Sequence, residues 1–287
     1  MVQRDKVATS VCRHSSGEMN LIITFLHVTM VSVFSGGSAE VVSDFRGKCA
    51  EFFANGISPT ILPEPQYKKI CQTLKGKVHY ATLYNTYKKI PVYSAYKFNK
   101  RISCERKKSW CIEPQLDDAG EGPNMVPEPF RQSDNQAVSD DYKDSGYDKG
   151  HLAPVFLAGS QGCADATFTL TNAAPQNPSF NRGQWRILEE KIAKELNERC
   201  LLKKNTAYIV TGVVPRRRKI PRILNVPSHF WTAYCCLDHN KECHISRGFI
   251  GENKNVTPNN ITVNELERML EKLYKVTSFK LFNTQTN

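Results

Sequence analysis

Hydrophobic and polar positions change period several times along this chain, and the changes divide it. Leu21 to Phe34 is an almost unbroken apolar run, followed by the small residues Ser35-Gly36-Gly37-Ser38-Ala39. A membrane span needs about 20 apolar residues, so the pattern predicts a cleaved signal peptide and leader over 1–39. An uncleaved anchor is the alternative, and a start at Met19 would discard the charged flank carrying Arg13 and His14. Asp44 to Asn55 has mixed helical spacing, and Pro59, Pro63 and Pro65 make the following stretch an irregular connection. From Lys77, aromatic and β-branched residues alternate through Tyr84 and again from Pro91 to Phe98, which predicts an antiparallel strand pair. Tyr80, Tyr84, Tyr93 and Tyr96 on these strands are expected in the core rather than stacked on bases.

Asn99 to Gly146 is polar and reads as a long surface excursion. It opens with the basic cluster Arg101, Arg106, Lys107, Lys108 and continues through Asp117, Asp118, Glu121, Asp140, Asp141 and Asp144, an acid-rich part expected to be solvated. A short strand is expected at Phe168 to Thr171, then a loop from Asn172 to Phe180 held by Pro175 and Pro178. Trp185, Leu188, Ile192 and Leu196 recur at i, i+3, i+7 and i+11, an apolar stripe of a helix with Asn181 as its N-cap. Ala207 to Val214 and Phe230 to Leu237 read as strands on either side of a basic, proline-bounded loop at 215–222, and 264–275 as an amphipathic helix. These elements predict an α+β fold with an antiparallel sheet core and packed helices, in one domain over 40–287. No later run reaches membrane-spanning length.

Charge and cysteines narrow the setting. Lys and Arg number 39 against 28 Asp and Glu. The leader holds three basic and two acidic residues, leaving 36 against 26, a net of +10. Such an excess favours a polyanionic partner through counterion release, although many basic proteins bind none. Ten cysteines become nine without Cys12. In a secreted chain most should pair, with Cys49–Cys71 and Cys104–Cys111 the local expectations and one thiol left over. The cluster from Cys235 to His244 is dense enough to hold zinc. However, adjacent Cys235 and Cys236 on a strand point to opposite faces, which favours disulfides to different partners. The sequons Asn255-Val256-Thr257 and Asn260-Ile261-Thr262 fit a secreted glycoprotein.

The chemistry gathers between Gly146 and Glu190. Phosphodiester hydrolysis needs a base for water, a cation for the developing charge and groups that place the phosphate. His151 has the residue type for the base, since an imidazole is mostly neutral at physiological pH. Asn181 and Glu189 offer oxygen donors of the kind Mg²⁺ prefers. Eight residues rotate a helix by about 80° beyond two turns, so both can lean toward one site. Singly, a histidine, a helix cap and a surface glutamate each have an ordinary structural explanation.

Taken together, Asp148-Lys149-Gly150-His151, Asn172, Asn181, Trp185 and Glu189 resemble the DNA/RNA non-specific endonucleases with a ββα-metal (His-Me) finger. The resemblance runs from about Tyr80 to Leu237. It implies His151 as general base, Asn181 as direct Mg²⁺ ligand with Mn²⁺ as the alternative ion, and Glu189 orienting the metal's water shell. It further implies that Asn172 positions substrate or base, that Asp148 braces the turn of the histidine, and that Lys108 or Arg106 neutralises phosphate. DNA and/or RNA would be bound through the backbone and cut to 5′-phosphate products, by a monomer or a homodimer.

Lys149 departs from the family's usual Arg, exchanging a bidentate donor for a point charge. Lys108 stands where family members commonly have Arg. These departures leave room for an alternative, a weak or inactive nuclease-fold protein acting as a secreted nucleic-acid-binding or immune module.

Overall fold

The segments Thr206–Val214 and His229–Leu237 are apolar at nearly every position because the sheet they join is covered on both faces. Ala207, Ile209, Val213, Phe230, Tyr234 and Cys236 pack into one core layer, while Tyr208, Val210, Val214, Trp231, Ala233 and Cys235 pack into the other. A strand's side chains alternate between faces, so two buried faces give a continuous hydrophobic run.

The computed structural model describes residues 41–128, 133–216 and 225–283, all within one compact unit, 37–287. The expected leader and most of the basic loop, 217–222, lie outside the described residues. In chain order the strands are β1 (Val41–Val42), β2 (Tyr67–Leu74), β3 (Lys77–Asn85), β4 (Ile90–Phe98), β5 (Cys111–Ile112), β6 (Val126–Pro127), β7 (Asp148–His151), β8 (Ala173–Gln176), β9 (Thr206–Val214), β10 (His229–Leu237), β11 (Cys243–Glu252) and β12 (Asn259–Ile261). The helices are α1 (Ser139–Tyr142), α2 (Gln161–Ala166), α3 (Arg186–Arg199) and α4 (Val263–Tyr274).

Eight strands form one sheet in the order β1-β2-β3-β4-β9-β10-β11-β12, every neighbouring pair antiparallel. The fold is thus α+β with an antiparallel core. The expected β3–β4 pair is present, and Tyr80, Tyr84, Tyr93 and Tyr96 are all buried. Helix α4 and Phe279 cover one face, and Trp185 with Leu188, Ile192 and Leu196 of α3 covers the other, the stripe expected from the sequence. Asp44 to Asn55 forms short 3₁₀ turns rather than a full helix. No helix among the described residues is long and apolar enough to cross a membrane.

Adjacent Cys235 and Cys236 do face opposite ways. Cys235 pairs with Cys243 and Cys236 with Cys200, so these sulfurs are not zinc ligands. Cys49–Cys71 is closed as expected, but Cys104–Cys111 is not. Cys111 is buried under the sheet with Tyr80 and Met125, whereas Cys104 packs with Cys163 against a different cluster.

Because β4 and β9 are sheet neighbours, the whole of 99–205 is one insertion between them, and the site lies in it. Its first part is not the solvated excursion expected. Ile112, Ala137 and Tyr142 form a small core with Leu170 and Ala173, and Gln136 is fully buried with its amide bonded to Glu113 and Asp117. Glu113 is 4% exposed and accepts from Thr169 Oγ1 at 3.1 Å, and burial pushes its carboxyl up to about 8. A folded-state pKa above the unfolded value means the fold binds the extra proton, so this contribution is full below the unfolded value and is lost as pH rises to 8. Glu113→Gln is therefore expected to remove up to about 1.4 kcal/mol per pH unit of the decline between pH 4.5 and 8. Thermal melts of both proteins across that range check it; parallel slopes would contradict the assignment.

Candidate active site

Strands β7 and β8 pair as a two-stranded antiparallel ribbon, with Asp148 opposite Gln176 and His151 opposite Ala173, and the chain then turns directly into a helix. This is a ββα unit. The strand β8 occupies what the sequence suggested was an irregular loop, and Pro175 is tolerated because a ribbon has open edges. Gly150 is required by close approach, since a Cβ there would lie 2.3 Å from Gln176 Oε1.

Asn181 is not the helix cap. Asn177 caps instead, accepting from Phe180 N–H at 3.1 Å, and Phe180–Trp185 forms a π-helical turn before α3. The wider turn takes up part of the rotational lag between Asn181 and Glu189, and both line one cleft. Asn181 Nδ2 donates to Asp148 Oδ2 at 2.9 Å. That bond fixes the amide and leaves its carbonyl oxygen, to which no hydrogen bond is made among the described residues. Arg182 completes the arrangement, donating from Nε and Nη2 to the two Asp148 oxygens at 2.9 and 2.5 Å. Asp148 thus braces the metal-ligand candidate as well as the strand of the histidine.

The cleft has a volume of about 720 Å³ and brings His151, Asp148, Lys149, Asn181, Glu189 and Arg106 together. The His151 ring is packed against Trp110 and Phe168, with centroids at 4.9 and 5.0 Å. Its Nε2 is buried without a hydrogen-bond partner among the described residues. Burial, and then the charge of Arg106, push its pKa down to about 3, so the imidazole is neutral. Glu189 is pushed the other way, up to about 8, mainly by burial, with Arg106 opposing. The Trp185 indole N–H also lowers it without closing a full hydrogen bond. A carboxyl so poorly solvated, lining the same cleft as an amide oxygen with no donor, fits a divalent cation. Among the described residues no three His, Cys, Asp or Glu side chains converge, and the candidates Asn181 and Glu189 are oxygen donors of the kind Mg²⁺ accepts.

Asn172 is fully buried and does not line the cleft. Its side chain accepts from Ala153 N–H and Ser94 Oγ, each at 2.9 Å, and donates to Ala153 O and Thr167 O. It therefore locks the chain just past His151 to β4 and cannot touch substrate. Lys149 Nζ donates to Ser139 Oγ at 2.7 Å and sits by the Trp110 and Tyr142 rings, and burial lowers its pKa. Of the two phosphate candidates, Arg106 lines the cleft, while Lys108 is exposed and does not. The irregular course of 101–110 gave no period from which to tell them apart.

Sequence reasoning missed Lys143, Arg182 and Arg186, which with Arg106 and Lys149 set five cations against Asp148 and Glu189 around the cleft. No period of the chain marks them: with Asn177 as the cap, Arg182 and Arg186 lie beyond the first helical turn, where the dipole no longer acts on a cation.

The described geometry has counterparts among known proteins. Residues 60–286 match the family model for DNA/RNA non-specific endonucleases. The human endonuclease domain-containing 1 protein is 35% identical over 201 residues, 66% of this chain and 39% of that protein. The chain thus spans about two fifths of the length of that relative. Human mitochondrial endonuclease G is 37% identical over 89 residues, 29% of this chain and 28% of that protein. A solved EndoG/EndoGI complex superposes with a TM-score of 0.50 over 86% of this chain and 94% of its own, at 20% identity, which shows the ββα-metal nuclease fold. With the family model matched over most of its length and the ββα unit in place, the chain belongs to the DNA/RNA non-specific endonuclease family.

Proposed function

We propose that this protein is a secreted, Mg²⁺-dependent endonuclease that hydrolyses DNA and/or RNA without sequence preference. The observation that carries this reading is the convergence of a neutral His151, Asn181, Glu189 and Arg106 on one cation-rimmed cleft. Asn181 and Glu189 would hold the metal, with Mn²⁺ as the alternative ion. When bound, the metal supplies neutralisation of the charge that builds on the phosphate and the leaving oxygen.

The chain's own residues do the rest. His151 accepts a proton from the water that attacks phosphorus opposite the 3′ oxygen, leaving a 5′-phosphate and a 3′-hydroxyl. Burial and the charge of Arg106 depress its basicity, and the approach of an anionic phosphate raises it. Arg106 neutralises the scissile phosphate, while Lys143, Arg182 and Arg186 grip the backbone on either side. Asp148 holds the Asn181 amide so that its oxygen faces the cation. Asn172 and Trp110 keep the imidazole in place. Contacts of this kind read phosphate and not base edges, which supports a lack of sequence preference.

Secretion is supported by the apolar leader pattern and by three closed disulfides. The sequon residues Asn255 and Asn260 are both exposed, as acceptors of sugar must be. Nicking of supercoiled plasmid by the purified protein tests the reading. It should require Mg²⁺, stop on chelation and weaken steeply with salt, because releasing each counterion gains less free energy as the bulk salt rises. Binding without cleavage would favour the alternative, a nuclease-fold binding or immune module.

A further inference from the structure

Outside the catalytic residues, one pair of side chains has chemistry that the fold leaves unused. Cys104 and Cys163 are both partly exposed thiols, and both pack against the cluster of Val155, Ala158, Ala164 and Phe168. Their neighbours are already tied to each other. Glu105 N–H donates to Gln161 Oε1 at 2.9 Å, and Gln161 Nε2 donates back to Glu105 O at 3.0 Å. This reciprocal pair ties the backbone one residue after Cys104 to the side chain two residues before Cys163, which holds the two segments against the same cluster. The charge of a Cys104 thiolate would also be felt at Cys163.

We propose that Cys104 and Cys163 form a fourth disulfide, which clamps the wall of the cleft carrying Arg106 to α2. Three disulfides close elsewhere in the fold, so a chain that forms them meets a disulfide donor. The Cys104 thiolate attacks a small disulfide of the oxidised-glutathione class, forming a mixed disulfide and releasing one thiol. The Cys163 thiolate then attacks the Cys104 sulfur and expels the second thiol. Two electrons pass from the pair to the donor, and the two protons end on the released thiols. Cys111, 4% exposed and in a separate cluster, is the sulfur left over. The sequence's odd cysteine count thus resolves on Cys111, not on a Cys104–Cys111 bridge.

The clamp has a purpose in the site. Arg106 lies two residues from Cys104 on a stretch without regular secondary structure, yet it bears on both His151 and Glu189. A covalent tie removes conformations in which that guanidinium leaves the cleft. This consequence rests on the proposed nuclease reading, but the bond itself does not.

Two measurements test it on the full chain produced through an oxidising secretory route. After alkylation of the denatured, unreduced protein and tryptic digestion, mass spectrometry should find the peptide 102–106 joined to 150–182, with Cys111 alkylated. Alkylated Cys104 and Cys163, or Cys104 joined to Cys111, would overturn the proposal. In the native state, Cys104→Ser/Cys163→Ser should be cut by trypsin at Arg101, Arg106 or Lys107 roughly tenfold faster than the unaltered chain, as expected when a tether on a local opening is lost. Equal cutting rates would overturn the clamping role, whether or not the protein proves to be a nuclease.

Discussion

Replacing His151 with alanine is expected to lower cleavage by roughly 10²-fold or more while leaving nucleic-acid affinity nearly unchanged. The separation follows from where the ring sits. His151 is held between Trp110 and Phe168, and the cations proposed to grip phosphate, Arg106, Lys143, Arg182 and Arg186, line the same cleft. Removing the imidazole takes away the proton acceptor without removing a phosphate contact. Single-turnover cleavage and equilibrium binding, measured on the same preparation, give the comparison. Equal losses in rate and affinity would contradict the role of base and point to a structural one.

Asn181→Ala is expected to have the next largest effect, a loss of cleavage of roughly 10²-fold that excess divalent ion partly recovers. Two consequences combine. The amide oxygen offered to the cation is lost, and so is the hydrogen bond to Asp148, leaving Arg182 as that carboxylate's main partner. Glu189 cannot compensate alone, because burial holds its carboxyl up at about 8 until a cation offsets the desolvation. A titration of cleavage rate against Mg²⁺ for both proteins checks this. A variant with an unshifted metal dependence would remove Asn181 from the ligand set.

The parts of this fold that were legible in sequence are those where one periodicity maps onto one environment. Trp185, Leu188, Ile192 and Leu196 kept helical spacing because a single face of α3 meets the sheet. The opposed pairings of Cys235 and Cys236 followed from strand geometry alone. Illegible parts were those where polar residues are buried by specific partners. Strand β2 carries Gln72, fully buried because its amide donates to Thr171, and Gln136 and Glu113 hide the packing of the insertion in the same way. No hydrophobic pattern reports such contacts.

The site divided along the same line. His151, Asp148, Asn181 and Glu189 were found because their order and spacing carried a resemblance, and the structure brings them into one cleft. Asn172 is expected to position substrate or base, and its hydrogen bonds, three to backbone and one to Ser94 Oγ, place it with the base and away from the cleft. Asn181 precedes the apolar stripe as a cap would, whereas the helix starts four residues earlier, under Asn177. Lys149, the departure expected to weaken the site, spends its ammonium on Ser139 while still lining the cleft. Its effect on rate is therefore a question of how the Trp110 and Ser139 wall is held, not of a missing phosphate clamp.

The central claim is that this cleft cuts nucleic acid with His151 as the base. The most direct measurement is cleavage of single-stranded DNA, double-stranded DNA and RNA by the purified protein and by His151→Ala, each with Mg²⁺ and with chelator. The account predicts metal-dependent cleavage of at least one substrate by the unaltered protein and roughly 10²-fold less by the variant. No metal-dependent cleavage by the unaltered protein, or equal rates for the two, would contradict it.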